Sequence, residues 1–142
     1  MGSARDAFTF GEAVTEWDMI SDIVAINKWL DESNPRTEHE DCMRVLKIGE
    51  ELGEAVEAYI GMTGQNPRKG NGTHTRADLC MELADVAITA LCALAHFTSS
   101  RDGAYRPAMI TGYMASKIQA IMVRSDITAV PAAPETLTDP LF

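Results

Sequence analysis

Between Lys47 and Gly61 the chain reads KIGEELGEAVEAYIG, with Glu50, Glu51, Glu54 and Glu57 crowded into eight positions beside a single lysine. Like charges at i,i+3 and i,i+4 on a helix repel by a few tenths of a kcal/mol per pair, so such a face is either simply solvated or held ready for something positive. A second acidic group lies in DLCMELADVAITALCALAHF, Asp78 to Phe97. Its polar positions, Asp78, Glu82, Asp85, Thr89 and His96, make one narrow helical stripe, and every other direction is apolar or small. Carboxylates are almost never buried unless paired or bound to metal, so Glu82 and Asp85 need a partner.

Two readings of the second helix stand side by side. In one, Lys47 pairs with Glu51 at i,i+4 on a solvated acidic face. In the other, the pairs Glu51/Glu54 and Glu82/Asp85, each three residues apart and so one turn apart on a helix face, meet across two antiparallel helices. Four or five acids facing Lys47 alone would raise each other's pKa values, and a divalent ion relieves that conflict. An all-oxygen cage without His or Cys suits Mg²⁺ or Mn²⁺ rather than zinc.

The elements that must position these groups are helical throughout. Hydrophobic spacing predicts helices over about 12–32, 37–61, 76–98 and 104–125, with capping-box patterns at Thr9/Glu12, Thr37/Glu40 and Thr75/Asp78. Trp17, Ile20, Ile23, Val24, Asn27 and Leu30 mark the core side of the first. On the second, the expected apolar side is Val45, Ile48, Leu52, Ala55, Val56 and Tyr59, opposite the glutamates. The third is expected to be buried nearly all round. A glycine-rich break, residues 62–74, separates the second and third helices, and SNPR and SSRDG make the other breaks. The expectation is an all-α antiparallel bundle of about four helices, one domain over 1–127, with a proline-rich extended or mobile tail over 128–142.

Bulk properties narrow the partners. A net charge of -9 argues against nucleic acid and anionic membranes as partners, and makes a cation the necessary intermediary for a polyanionic ligand. Cys42, Cys80 and Cys92 form no CxxC pair and fall in apolar patterns, so they read as reduced core residues of a cytoplasmic protein. No signal-like segment opens the chain, and Glu82 and Asp85 argue against a membrane span in the most apolar stretch.

The order Lys47, Glu50, Glu51, Glu54, then Glu82 and Asp85, resembles the K-x-x-E-E-x-x-E … E-x-x-D signature of the MazG-like, all-α nucleoside triphosphate pyrophosphohydrolases. The resemblance covers about residues 23–124, and the spacing between the two halves falls in the family's range. It implies hydrolysis of a nucleoside triphosphate between the α and β phosphates, with Mg²⁺ held by Glu51, Glu54, Glu82 and Asp85. It also implies a role for Glu50 toward a second metal or the attacking water. Lys47, Lys117 and Arg124 are the cations expected at the phosphates, with Arg68, Lys69 and Arg76 beside the loop. Trp29 either stacks on a base or belongs to the core. The sequence departs from the family's K-x-x-x-N-x-x-R pattern at Ile121, where asparagine is usual between Lys117 and Arg124. Relatives build their sites near a subunit interface, which implies a homodimer or homotetramer. Narrower nucleotide specificities are variants of the same reading; a non-catalytic helical interaction protein, with a structural metal or none, is the alternative. A di-iron bundle is disfavoured, since no helix carries Glu-x-x-His.

Overall fold

The computed structural model of the chain describes residues 18–68, 72–100 and 102–128. These residues form four helices and no strand: α1 Met19–Ser33, α2 Glu38–Thr63, α3 Arg76–Thr98 and α4 Pro107–Arg124. The helix starts have identifiable causes. Thr37 accepts from Glu40 N–H at 3.2 Å to cap α2, Thr75 and Asp78 complete a reciprocal capping box on α3, and Pro107 opens α4, where its missing N–H is no loss. α1 is capped by Asp18, which accepts from Ser21 N–H at 3.1 Å. The helix therefore begins at Met19, later than its spacing suggested, because Asp18 has non-helical dihedrals and its carboxylate takes the first free amides. The expected Thr9/Glu12 box and Trp17 lie outside the described residues, as does the tail beyond Thr128.

α2 also runs two residues past its expected end, to Thr63, where Gly64 takes the left-handed conformation (φ 65°) and donates its N–H to Ile60. Gly61 has a different task. Gly72 N–H donates to its carbonyl at 3.1 Å, and a Cβ there would collide with the His74 imidazole and the Thr73 hydroxyl. The connection to α3 is thus fastened onto the α2 backbone at a glycine, where a side chain would block the approach.

α2 and α3 form a long antiparallel hairpin, and α1 and α4 pack on α3 and on each other. The core joins Ile23 and Val24 of α1 to Leu91, Cys92 and Ala95 of α3 and Ile110 of α4. Burying an aliphatic side chain as fully as Ile23 or Ile110 contributes about 1.5–3 kcal/mol. This core serves only the C-terminal half of α3. Met81 and Leu83 in its N-terminal half, and Ile88 just past its middle, are exposed, contrary to the expectation of burial all round. The reason is length: α1 has 15 residues against 23 in α3, so it covers one end only. α4 likewise buries Ile110 and leaves Tyr113, Met114, Ile118 and Ile121 exposed.

The second correction concerns α2. The side chains it turns inward are Arg44, Glu51, Ala55 and Ala58, spaced as one helical stripe; of the expected apolar side Ala55 is buried and Ile48 half-buried, whereas Val45, Leu52, Val56 and Tyr59 are half exposed. The small residues Ala55, Ala58 and Gly61 let the two helices approach closely, and that approach selects the inward face over hydrophobicity. Glu51 accordingly lies on the packed side rather than opposite it. Of the cysteines only Cys92 is buried; Cys42 and Cys80 are exposed, on the faces left uncovered by the same choice.

Candidate functional site

The polar stripe of α3 faces α2. At one end His96 Nε2 is 2.6 Å from Asp41 Oδ1; further along, Glu82 and Asp85 meet Glu51. Carboxylate oxygens of Glu51, Glu82 and Asp85 all lie within 4.8 Å of one another, the only such metal-sized group of acids among the described residues. Glu51 and Glu82 are half-buried and Asp85 is open to solvent. Two oxygens on opposite sides of one Mg²⁺ are about 4 Å apart, so small side-chain movements close this group around an ion and leave its outward coordination positions for water or phosphate. The donor set fits a hard divalent cation.

The other predicted acids sit differently. Glu54 is exposed and lies outside the group. Glu50 is also exposed and is engaged by Lys47, whose Nζ is 2.9 Å from Glu50 Oε2 and 3.0 Å from Glu51 Oε1. The pairing read from the i,i+4 spacing is therefore present, extended to a second glutamate. Hydrogen bonds first to Glu50 and then to Glu51 raise the Lys47 pKa above its ordinary value, so the ammonium stays charged.

The remaining expected cations are not assembled here. Lys117 and Arg124 are exposed on α4, with no ion pair to the three carboxylates among the described residues. Arg68 and Arg76 are exposed near the α2–α3 connection, and Lys69 lies outside the described residues. Trp29 is not core: it is 64% exposed on α1.

Sequence reasoning missed the other polar centre altogether. Arg44, 6% exposed, donates to Asn27 Oδ1 at 2.9 Å, to Asp31 Oδ1 at 3.3 Å and to Glu40 Oε1 at 2.5 Å. Asn27, fully buried, donates in turn to the Ile23 carbonyl at 2.9 Å. Arg36 joins Asp31 at 2.9 Å, Ser99 at 2.6 Å and Tyr105 at 2.7 Å, and Tyr105 donates to Asp31. α1 and α2 have no backbone approach within 8 Å; these side chains join them. Helical spacing puts Asn27 in the core-side stripe of the first helix without assigning it a partner, and gives Arg44 no role. The available signal was Asn27 in the middle of an otherwise apolar face.

Electrostatics differ accordingly. Burial pushes the Asp31 carboxyl up, but hydrogen bonds from Tyr105 and Arg36 outweigh it and hold the group below its ordinary range. Burial, then the hydrogen bond to Asp31, pushes the Tyr105 phenol up to about 12. Burial likewise raises the Cys92 thiol.

Compared with family models, with curated proteins and with solved structures, the chain has no match.

Proposed function

We propose that the protein is a divalent-metal-dependent nucleoside triphosphate pyrophosphohydrolase, cleaving between the α and β phosphates to release pyrophosphate and a nucleoside monophosphate. The observation that carries the reading is the convergence of Glu51, from one helix, with Glu82 and Asp85, from another, into one oxygen cluster with an open side. Those are three of the four ligand positions that the MazG-like signature implies. A bound Mg²⁺ or Mn²⁺ supplies charge neutralisation at the phosphate oxygens and activation of a water. Glu51, Glu82 and Asp85 would hold the ion, Glu54, one turn further along α2, would be the fourth acid, and Glu50 at the solvent edge would orient the nucleophile. Lys47 is the nearest base for a phosphate; Lys117, Arg124 and Trp29 are further substrate contacts, for which a second subunit is the natural setting.

That subunit is part of the proposal. The exposed residues Val45, Leu52, Val56 and Tyr59 of α2, Met81 and Leu83 of α3 and Tyr113, Met114, Ile118 and Ile121 of α4 together are more apolar surface than an isolated chain leaves open without a partner. A homodimer or homotetramer covers it, and light scattering at micromolar concentration checks this: an active species of one chain's mass ends the oligomer proposal. We place the protein in the cytoplasm, where three unpaired thiols remain reduced. With a net charge of -9, nucleic acid and anionic membrane are not proposed as partners. α3 is long and apolar enough to cross a membrane by composition, but its Glu82 and Asp85 face into the hairpin cluster.

The deciding experiment is pyrophosphate release from the eight common nucleotides with Mg²⁺ and with EDTA. Metal-dependent release from at least one supports the enzyme. The Lys47 pairing with both Glu50 and Glu51 favours the competing reading, a non-catalytic helical interaction protein whose acidic face is satisfied without metal; no release from any nucleotide and no metal uptake would establish that instead.

A further inference from the structure

Glu51 is shared. Its carboxylate belongs to the cluster with Glu82 and Asp85, and it also receives the Lys47 ammonium at 3.0 Å. The lysine has a second anchor, Glu50, at 2.9 Å. The two anchors differ in setting: the Glu51 side chain is 12% exposed and the Glu50 side chain 57%. An ammonium and a divalent cation on the same sheltered carboxylate repel each other, and the repulsion strengthens as water is excluded. Glu50 stands in solvent, three residues from Lys47 on the same helix, and remains accessible to the lysine when Glu51 is taken.

We propose that Lys47 is the built-in counter-ion of the carboxylate cluster, occupying Glu51 in the unloaded site and yielding it to the divalent cation while staying held by Glu50. The inference rests on the metal reading above and adds a competition to it. The unloaded cluster keeps one of its three charges compensated. Metal affinity is correspondingly lower than three free carboxylates would give, and uptake turns the ammonium from the cluster toward its open side. Lys47 acts here as a positioning residue, through Glu51.

Calorimetric titration with Mg²⁺ alone, without nucleotide, tests this in the full-length protein and in Lys47→Met, Lys47→Arg and Glu82→Ala. A charge acting only through space predicts that Lys47→Arg binds Mg²⁺ as the wild type does. Competition for Glu51 predicts an order: Lys47→Met binds severalfold more tightly than wild type, and Lys47→Arg severalfold more weakly, because a guanidinium grips a carboxylate with two parallel hydrogen bonds. The Lys47 ammonium resonance, followed by proton–nitrogen NMR in the wild type, should shift as Mg²⁺ saturates the site. Wild-type affinity in Lys47→Arg, or an unmoved Lys47 resonance at saturation, overturns the competition. If the wild type binds and Glu82→Ala does not, the metal reading survives that failure; if the wild type takes up no Mg²⁺, both fall.

Discussion

Two polar centres bridge helices in this molecule, and they are built on opposite terms. Around Arg44 each charge has a counter-charge in reach: Arg44 and Arg36 face Asp31 and Glu40, and Asn27 and Tyr105 fill the remaining hydrogen-bonding positions. Around Glu51 three carboxylates share one lysine, and that lysine is divided with Glu50. A closed network of the first kind fixes how α1 sits on α2 and has nothing left with which to bind a ligand. An open cluster of the second kind carries repulsion that folding alone does not relieve, and on the proposed reading a divalent cation would supply the outstanding charge. Substitutions in the two centres should therefore separate cleanly into losses of activity and losses of stability.

The largest effect is expected at the open centre. Asp85→Ala or Glu51→Ala should lower pyrophosphate release by more than about 100-fold, the loss of several kcal/mol of metal-based stabilisation, while the circular dichroism stays helical. Either variant retaining more than a few per cent of activity at saturating Mg²⁺ would show the ligands to be misassigned. Arg44→Ala should do the reverse. It leaves Asp31, Glu40 and Asn27 without their partner, at a cost of about 3 kcal/mol and roughly 10 °C in melting temperature, with Mg²⁺ affinity unchanged. A melting temperature within a couple of degrees of wild type would mean that the network is not what joins α1 to α2.

Metal itself sharpens the contrast. Mg²⁺ at about 100 times its Kd should stabilise the wild type by about 2.7 kcal/mol through mass action, and should do the same for Arg44→Ala. A Glu54→Ala, Glu82→Ala double variant should not respond; equal shifts in both would indicate general screening of acidic charge. The smallest effect concerns pH and the closed centre. Because the folded state favours the neutral Tyr105 phenol, that contribution is complete below about pH 10, the phenol's ordinary value, and is lost as pH rises through about 12. Tyr105→Phe, losing hydrogen bonds with Asp31 and Arg36, should cost about 1 kcal/mol at neutral pH. The cost should shrink in the alkaline range; a difference that stays constant across it would disprove the shift, which absorbance titration of the phenolate reads directly.

Local chemistry wrote most of the helix map into the sequence. The Thr37 and Thr75 caps, the glycine-rich break and Pro107 each act within a few residues, and the polar stripe from Asp78 to His96 follows from helical period alone. The pairing of that stripe with acids of the preceding helix was legible too, because a carboxylate pair in an apolar helix has few ways to be satisfied. What only the tertiary structure decided is which side of α2 faces inward. The larger members of its expected apolar side, Val45, Leu52, Val56 and Tyr59, stay half exposed, while the small residues Ala55 and Ala58 pack, carrying Glu51 in and leaving Glu54 out. Helical period identifies faces but does not rank them; the ranking depends on how closely two backbones can approach. The same holds for Asn27, Asp31 and Arg44, whose partners lie 13 and 17 residues apart in the chain, and for Tyr105, 74 residues from Asp31. Those hydrogen bonds exist only once α1, α2 and the α3–α4 connection have been brought together, and no local pattern along the chain records that meeting.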